Sequence, residues 1–272
     1  MRSSVKSLLV GTVLLVAVTL PGIASATPIL YGVTFGNQLI TINPTTGAGT
    51  LVGNLSSNMA AFGLGTFGGK LYAFDQVADL LREIDPSTAA TVSSINLGVG
   101  NLTGEGGLDF RSDGVGFLNS TSGTTSNVYR FTLAANSGVL VGSENTAGID
   151  GLAFSPTDVL YAMGQQPQNN LYTVNQTTGA LTLVGATGFS NASSLSGLDF
   201  IGGTLYGVIS DSLYTLNPLT GAATLVGPTG FSSISGLASL DVGGTATVPE
   251  PATLLLLGSG AIALSRRRMR RG

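Results

Sequence analysis

A tandem repeat with a period of about 44 residues is the feature that most restricts the fold of this chain. Its first element reads GLDF at Gly107, GLAF at Gly151 and GLDF again at Gly197, with looser copies GLGTF at Gly63 and GLASLD at Gly236. The pair LY follows at Leu30, Leu71, Leu160 and Leu205, with GF at Gly116 in the same phase. A second run then recurs as LITINPTTGAGTLVG, LYTVNQTTGALTLVG and LYTLNPLTGAATLVG, beginning at Leu39, Leu171 and Leu213. Apolar and polar residues alternate on both sides of the central turn, and its glycine supplies the positive φ that a tight hairpin needs. FRSDGV, FSPTDV and FIGGTL mark an earlier turn, between the first and second strands. Each repeat thus holds four short strands, and tandem four-stranded units of about 40 to 45 residues predict the blades of a β-propeller. The coils of a β-solenoid, the main rival, take far fewer residues.

The two ends of the repeat region do not match. It opens in a second strand, ILYGVT, and finishes in a first strand, GLASLDV. Together the fragments make one blade, which predicts an all-β, five-bladed propeller over residues 27–242, closed by pairing of its N- and C-terminal strands. The other four blades begin near Phe62, Gly107, Gly151 and Gly197. The region resembles the broad group of bacterial surface propellers with LYxIDPxTGxxTxVG blades, a likeness that implies fold and not activity. The second blade departs from it, because DPSTAAT lacks the turn glycine.

Beyond the propeller lie two segments that carry an address. Residues 1–26 read as a signal peptide: Arg2 and Lys6 precede the apolar run from Leu8 to Leu20, Pro21-Gly22 breaks it, and Ala24-Ser25-Ala26 is a small-residue cleavage site for signal peptidase. A retained anchor is the weaker alternative, because the run falls short of the roughly 20 residues that span a bilayer. At the other end, residues 243–251 form a linker containing Pro249-Glu250-Pro251, and residues 252–272 hold a short apolar helix followed by Arg266, Arg267, Arg268, Arg270 and Arg271. The run from Ala252 to Leu264 gives roughly 20 Å of helix against a hydrocarbon core of about 30 Å. It spans only if the arginines snorkel, and their charge keeps that end in the cytoplasm.

This order of Pro-Glu-Pro, weak helix and arginine cluster resembles the PEP-CTERM sorting signal of Gram-negative bacteria. The resemblance covers about the last 25 residues and implies processing near the Pro-Glu-Pro by exosortase, a membrane-embedded cysteine protease. It further implies a precursor held transiently at the inner membrane, then a protein at the cell surface or in the extracellular matrix. The two prolines suit such a motif, because they keep the segment out of helix and sheet and so readable. An ordinary tail anchor with an incidental Pro-Glu-Pro is the plain alternative.

Charge and composition narrow the chemistry. Of 11 basic and 14 acidic residues, seven basic and one acidic lie in the terminal segments, which leaves four against 13, a net −9, in residues 27–248. No basic stripe is present, so nucleic acid is not an expected partner. The chain has no cysteine and no histidine, which removes disulfides, Ser-His-Asp and Cys-His catalysis and zinc sites together. Lys70, the one lysine of the domain, sits in a predicted turn, FGGKLYAF. GLGTFG at Gly63 satisfies a phosphate-loop pattern but leads into a strand and not a helix. DFRSDG at Asp109 opens like a calcium loop but has Arg111 at its third position and Ser120 at its twelfth. No metal or cofactor is therefore expected.

Carboxylates remain the one available catalytic chemistry. Glu105, Glu144 and Asp150 are expected in blade-linking loops, and Asp75, Asp79 and Asp211 in or near loops between second and third strands, on the face where propellers usually bind ligands. Two of them at suitable separation would make a glycosidase, although the lack of tryptophan argues against one. Phe189 and Phe231 recur in GFS loops and would either form a shallow platform on that face or plug the space between blades. Glu105, Asp150, Phe189 and Phe231 mark the candidate ligand face. The sequence favours a non-catalytic binding or display domain that meets polysaccharide or surface proteins, with a carbohydrate-active glycosidase or lyase as the alternative.

Overall fold

The computed structural model describes residues 28–56, 61–100, 102, 104, 106–122, 125–145, 148–164, 169–189 and 196–241. The expected signal peptide, with Ala24 and Ala26, lies outside the described residues. So do the linker and tail, with Pro249, Glu250, Pro251, Arg266, Arg267, Arg268, Arg270 and Arg271.

The described chain forms five antiparallel sheets of four strands each. Blade two runs in order through β4 (Ala61–Phe67), β5 (Lys70–Asp75), β6 (Leu80–Ile84) and β7 (Thr91–Asn96). Blade three contains β8 (Leu108–Phe110), β9 (Gly116–Ser122), β10 (Thr125–Phe131) and β11 (Val139–Glu144). Blade four contains β12 (Ile149–Phe154), β13 (Leu160–Gly164), β14 (Asn170–Val174) and β15 (Leu181–Ala186). Blade five contains β16 (Ser196–Ile201), β17 (Thr204–Ile209), β18 (Ser212–Leu216) and β19 (Ala223–Pro228). Blade one is composite: β20 (Ile234–Leu240) is its innermost strand and pairs with β1 (Ile29–Thr34), which continues to β2 (Gln38–Ile42) and β3 (Gly49–Asn54). Its register runs from Ile29 opposite Leu240 to Val33 opposite Gly236. The five-bladed propeller closed by its terminal strands is therefore the observed fold.

Burial falls from the axis outward. Every residue of β12 is buried, whereas the fourth strands β3, β7, β11, β15 and β19 contain none or one. The apolar core is divided into five clusters, each shared by two neighbouring blades. One joins Leu39 and Ala238 of blade one to Leu64 and Leu71 of blade two, and another joins Phe74 of blade two to Phe110 and Phe131 of blade three. Each full side chain so buried stabilises by about 1.5–3 kcal/mol. Stability therefore resides between blades as much as within them.

The glycine that opens the first element of the repeat has a steric cause. At the axis the innermost strands lie backbone against backbone, and a methyl at Gly107 would sit 2.2 Å from the Leu152 amide nitrogen. The hairpin glycines lock the rim in the same way. Gly221 has φ +79°, and a methyl there would sit 2.5 Å from the Gly185 carbonyl oxygen on blade four. In blade two the equivalent residue is Ala89, which takes the same left-handed conformation at φ +63°. The outer edges are interrupted: in all five blades the pairing of third and fourth strands carries a register shift. Such bulges twist an edge and blunt its capacity to template pairing with another chain.

Candidate functional site

The two aromatics of the expected ligand face pack against neighbouring residues of the propeller. Phe189 meets Tyr214 of β18 edge-on, with ring centroids 4.7 Å apart. Phe231 packs on the cluster between blades five and one, where a methyl at Gly49 would come within 2.8 Å of its ring. Both loops are pinned by a threonine two residues earlier. Thr229 donates its amide (2.7 Å) and its hydroxyl (2.8 Å) to the Asp211 carbonyl, and Thr187 donates both to the Asn169 carbonyl. The two phenylalanines are plugs between blades.

Asp150 requires a correction. It lies within β12 and is only 2% exposed, not in a blade-linking loop, because the innermost strand begins two residues ahead of the repeated glycine. Glu144 likewise closes β11. Glu105 lies outside the described residues. The remaining carboxylates of that face hold loops together. Asp75 is buried at the end of β5 and accepts hydrogen bonds from Arg82 Nη2 (2.7 Å) and Nε (3.0 Å) and from the amides of Val77 and Ala78. Asp79 accepts from the Leu102 amide at 3.0 Å, and Asp211 from the Ser212 hydroxyl at 3.0 Å. Among the described residues, Asp75 and Asp79 are thus committed to holding their loops.

A different pair of carboxylates stands near the axis. Asp109 in β8 and Asp199 in β16 occupy the same place in the repeat, the third residue of GLDF, and each reaches toward the innermost strand of the next blade. Asp109 Oδ2 accepts from the Phe154 amide at 2.6 Å and Oδ1 from its neighbour Phe110 at 2.7 Å. Asp199 accepts from the amides of Phe200 and Ser239 and from the Ser239 hydroxyl, which also lies 3.2 Å from the Phe200 carbonyl. Its Oδ2 is buried with no hydrogen-bond partner. The two residues are 9% and 7% exposed. Burial pushes Asp199 up to about 7 against the pull of these hydrogen bonds. Burial, and then the charge of Asp199, hold Asp109 well above the ordinary carboxylate range. The three ion pairs of the described residues, Lys70–Glu83, Arg82–Asp75 and Arg111–Asp113, leave both out.

Beside this pair opens a cavity of about 370 Å³, at the end of the ring where the turns between first and second strands gather. Its walls include Phe110, Phe200 and Ser239, the neighbours and hydrogen-bond partners of the two aspartates. In the sequence GLDF reads as an inner strand, with Asp109 singled out only as the opening of the calcium-like DFRSDG turn and Asp199 not at all. The available signal was a charged residue inside an otherwise apolar inner strand.

What the propeller is delivered by is legible in its tail. Residues 247–271 match the PEP-CTERM protein-sorting motif. The chain carries an exosortase sorting signal. A PEP-CTERM protein is exported and processed by exosortase for the cell surface, and here the cargo is a five-bladed propeller. No curated protein sequence matches the chain. Among solved structures, one chain of a nidogen–laminin complex is similar with a TM-score of 0.54 and 11% identity, over 79% of this chain and 86% of that one. A protein of unknown function from Bacteroides thetaiotaomicron gives 0.46 and 16%, over 73% and 50%. At this identity the nidogen–laminin likeness speaks for the propeller fold alone.

Proposed function

We propose that the domain is a non-catalytic binding and display propeller that exosortase delivers to the cell surface or extracellular matrix. One observation carries the reading: of the carboxylates expected on the ligand face, Asp75 is engaged by Arg82, Asp79 by the Leu102 amide, and Asp150 is buried in β12. The GFS loops support it, since Phe189 and Phe231 each pack against a core cluster between two blades. The net charge of −9 keeps such a protein soluble and turns it away from anionic polymers unless a cation intervenes. During export the precursor is tethered in the inner membrane by residues 252–272, with the arginines on the cytoplasmic side.

Incubation of the mature protein with a panel of bacterial polysaccharides, read for both retention and cleavage, tests this reading. Retention without cleavage is the expected result. Reproducible release of shorter glycans overturns it in favour of a carbohydrate-active enzyme.

A further inference from the structure

We propose that Asp199 clasps the closing strand β20 as a neutral carboxylic acid, so that loss of its proton loosens the ring where blade five meets composite blade one. The need for a clasp follows from the topology. β20 is the innermost strand of its sheet and has a hydrogen-bonded neighbour, β1, on one side only, so backbone groups on its other side must find partners in other blades. Ser239 meets that need twice. Its amide is donated to the Asp199 carboxyl of β16 in blade five, and its carbonyl accepts the Thr66 hydroxyl of β4 in blade two at 2.8 Å. One residue of the closing strand is thereby held from both neighbouring blades. Asp109 takes up the Phe154 amide at the equivalent step of blade four, but β12 is followed in sequence by the rest of its own sheet and closes nothing.

The surroundings of Asp199 suit the neutral form. The residue is only 7% exposed, and its Oδ2 is buried with no hydrogen-bond partner. An ionised oxygen there forfeits its hydration for nothing in return, whereas a protonated carboxyl gives up far less. No counter-charge rescues the anion. Of the four basic residues in the domain, Lys70 pairs with Glu83, Arg82 with Asp75 and Arg111 with Asp113, while Arg130 is exposed on β10. The elements packed against β16 add no positive group either: β17 brings Tyr206 directly across the sheet, β13 brings Tyr161, β12 brings Asp150, and β20 brings no titratable side chain. Asp109 of β8 adds a negative charge. Burial accordingly raises the Asp199 carboxyl from the ordinary 3.8 to about 7. Between these values the unfolded chain has released the proton and the folded ring still holds it, so the folded state binds more protons and stability falls as pH rises. The contribution is complete below the lower value and gone above the upper one. Asp109 acts in the same direction, whereas Asp113, held down at about 2 by its hydrogen bond to Arg111, titrates below this window.

Thermal unfolding of the purified mature protein from about pH 4 to about pH 8 tests the clasp, together with carbon-13 NMR of the wild-type aspartate carboxyls. The wild-type melting temperature should fall by several degrees across that range. Asp199→Asn keeps an oxygen acceptor for the Ser239 amide and cannot ionise, so it should match the wild type at the acid end and melt above it at the alkaline end. Asp109→Asn should remove only part of the fall, because Asp199 remains, and Asp113→Asn should leave the slope unchanged. Asp199→Ala, which removes the acceptor, should melt below the wild type at the acid end and speed hydrogen exchange at the Ser239 amide. The Asp199 carboxyl resonance should titrate at about pH 7. An Asp199 carboxyl that titrates in the ordinary range near 3.8 overturns the proposal. So does an Asp199→Asn variant whose fall with pH parallels the wild type, or an Asp109→Asn variant that loses the fall entirely.

Discussion

Ala89 and Gly221 stand at the same step of their hairpins and share a left-handed backbone, yet substitution should treat them differently. At Gly221 a methyl would press on the Gly185 carbonyl oxygen at 2.5 Å, in a conformation that already costs an L-residue about 1–2 kcal/mol. Gly221→Ala should therefore destabilise by about 2 kcal/mol or more, seen as a lower urea midpoint with unchanged slope. Ala89 pays the same backbone cost, but its methyl is fully buried in the cluster between blades one and two. Removing that methyl forfeits about 0.8 kcal/mol of burial while relieving strain of similar size. Ala89→Gly should accordingly shift stability by less than about 1 kcal/mol in either direction. The same denaturation series decides both.

At the scale of the element, the pair Arg82–Asp75 fastens β6 to the end of β5 and to the turn between them. The carboxylate is buried and the guanidinium mostly so, with side-chain exposures of 2% and 22%. Arg82→Ala leaves a buried charge with only amide donors, so a loss of about 3–5 kcal/mol is expected. Arg82→Lys should recover part of it, because one ammonium cannot replace the two-point contact. A chemical denaturation curve for each variant would check the order. The strands themselves were legible in the sequence because a half-buried strand writes its alternation into LYTVNQTTG, and because a hairpin turn demands glycine where TTG supplies it. The composite blade was legible for a related reason, since ILYGVT and GLASLDV are recognisable halves. The edges of inner strands were not: β12 is buried on both faces, so nothing alternates across Asp150 to announce that the strand has begun. Nor was the burial of Asp109 and Asp199, because a linear repeat reveals equivalent positions and not what the next blade packs against them. The sorting motif was legible because its parts stand in a fixed linear order that needs no folded partner to be recognised.

For the whole molecule, closure is the decisive feature. A chain ending at Ser232 lacks β20 and with it Ile234, Leu237, Ala238 and Leu240, all buried against blades one, two and five. By burial alone this removes roughly 5–8 kcal/mol, which rivals the 5–15 kcal/mol that holds a typical domain together. Thermal melts of chains ending at Ser232 and at Val248 should differ by more than about 10 °C, or the shorter chain should show no cooperative transition; equal melting temperatures would contradict the closed ring. At the other end of the scale, Glu250→Ala leaves the apolar run and the arginines intact, so the precursor should insert and accumulate uncut. Mass spectrometry of surface material from the native host should find wild-type chains that end before Gly272. The pairing of Ile29 with Leu240 also sets a timetable. Blade one cannot be completed until almost the whole propeller has crossed to the same side of the membrane, and the sorting motif begins at residue 247, only a few residues later. The strand that completes the ring is thus among the last parts of the propeller to cross. A chain that stalls before residues 234–240 have crossed leaves β1 without its inner partner and the ring open.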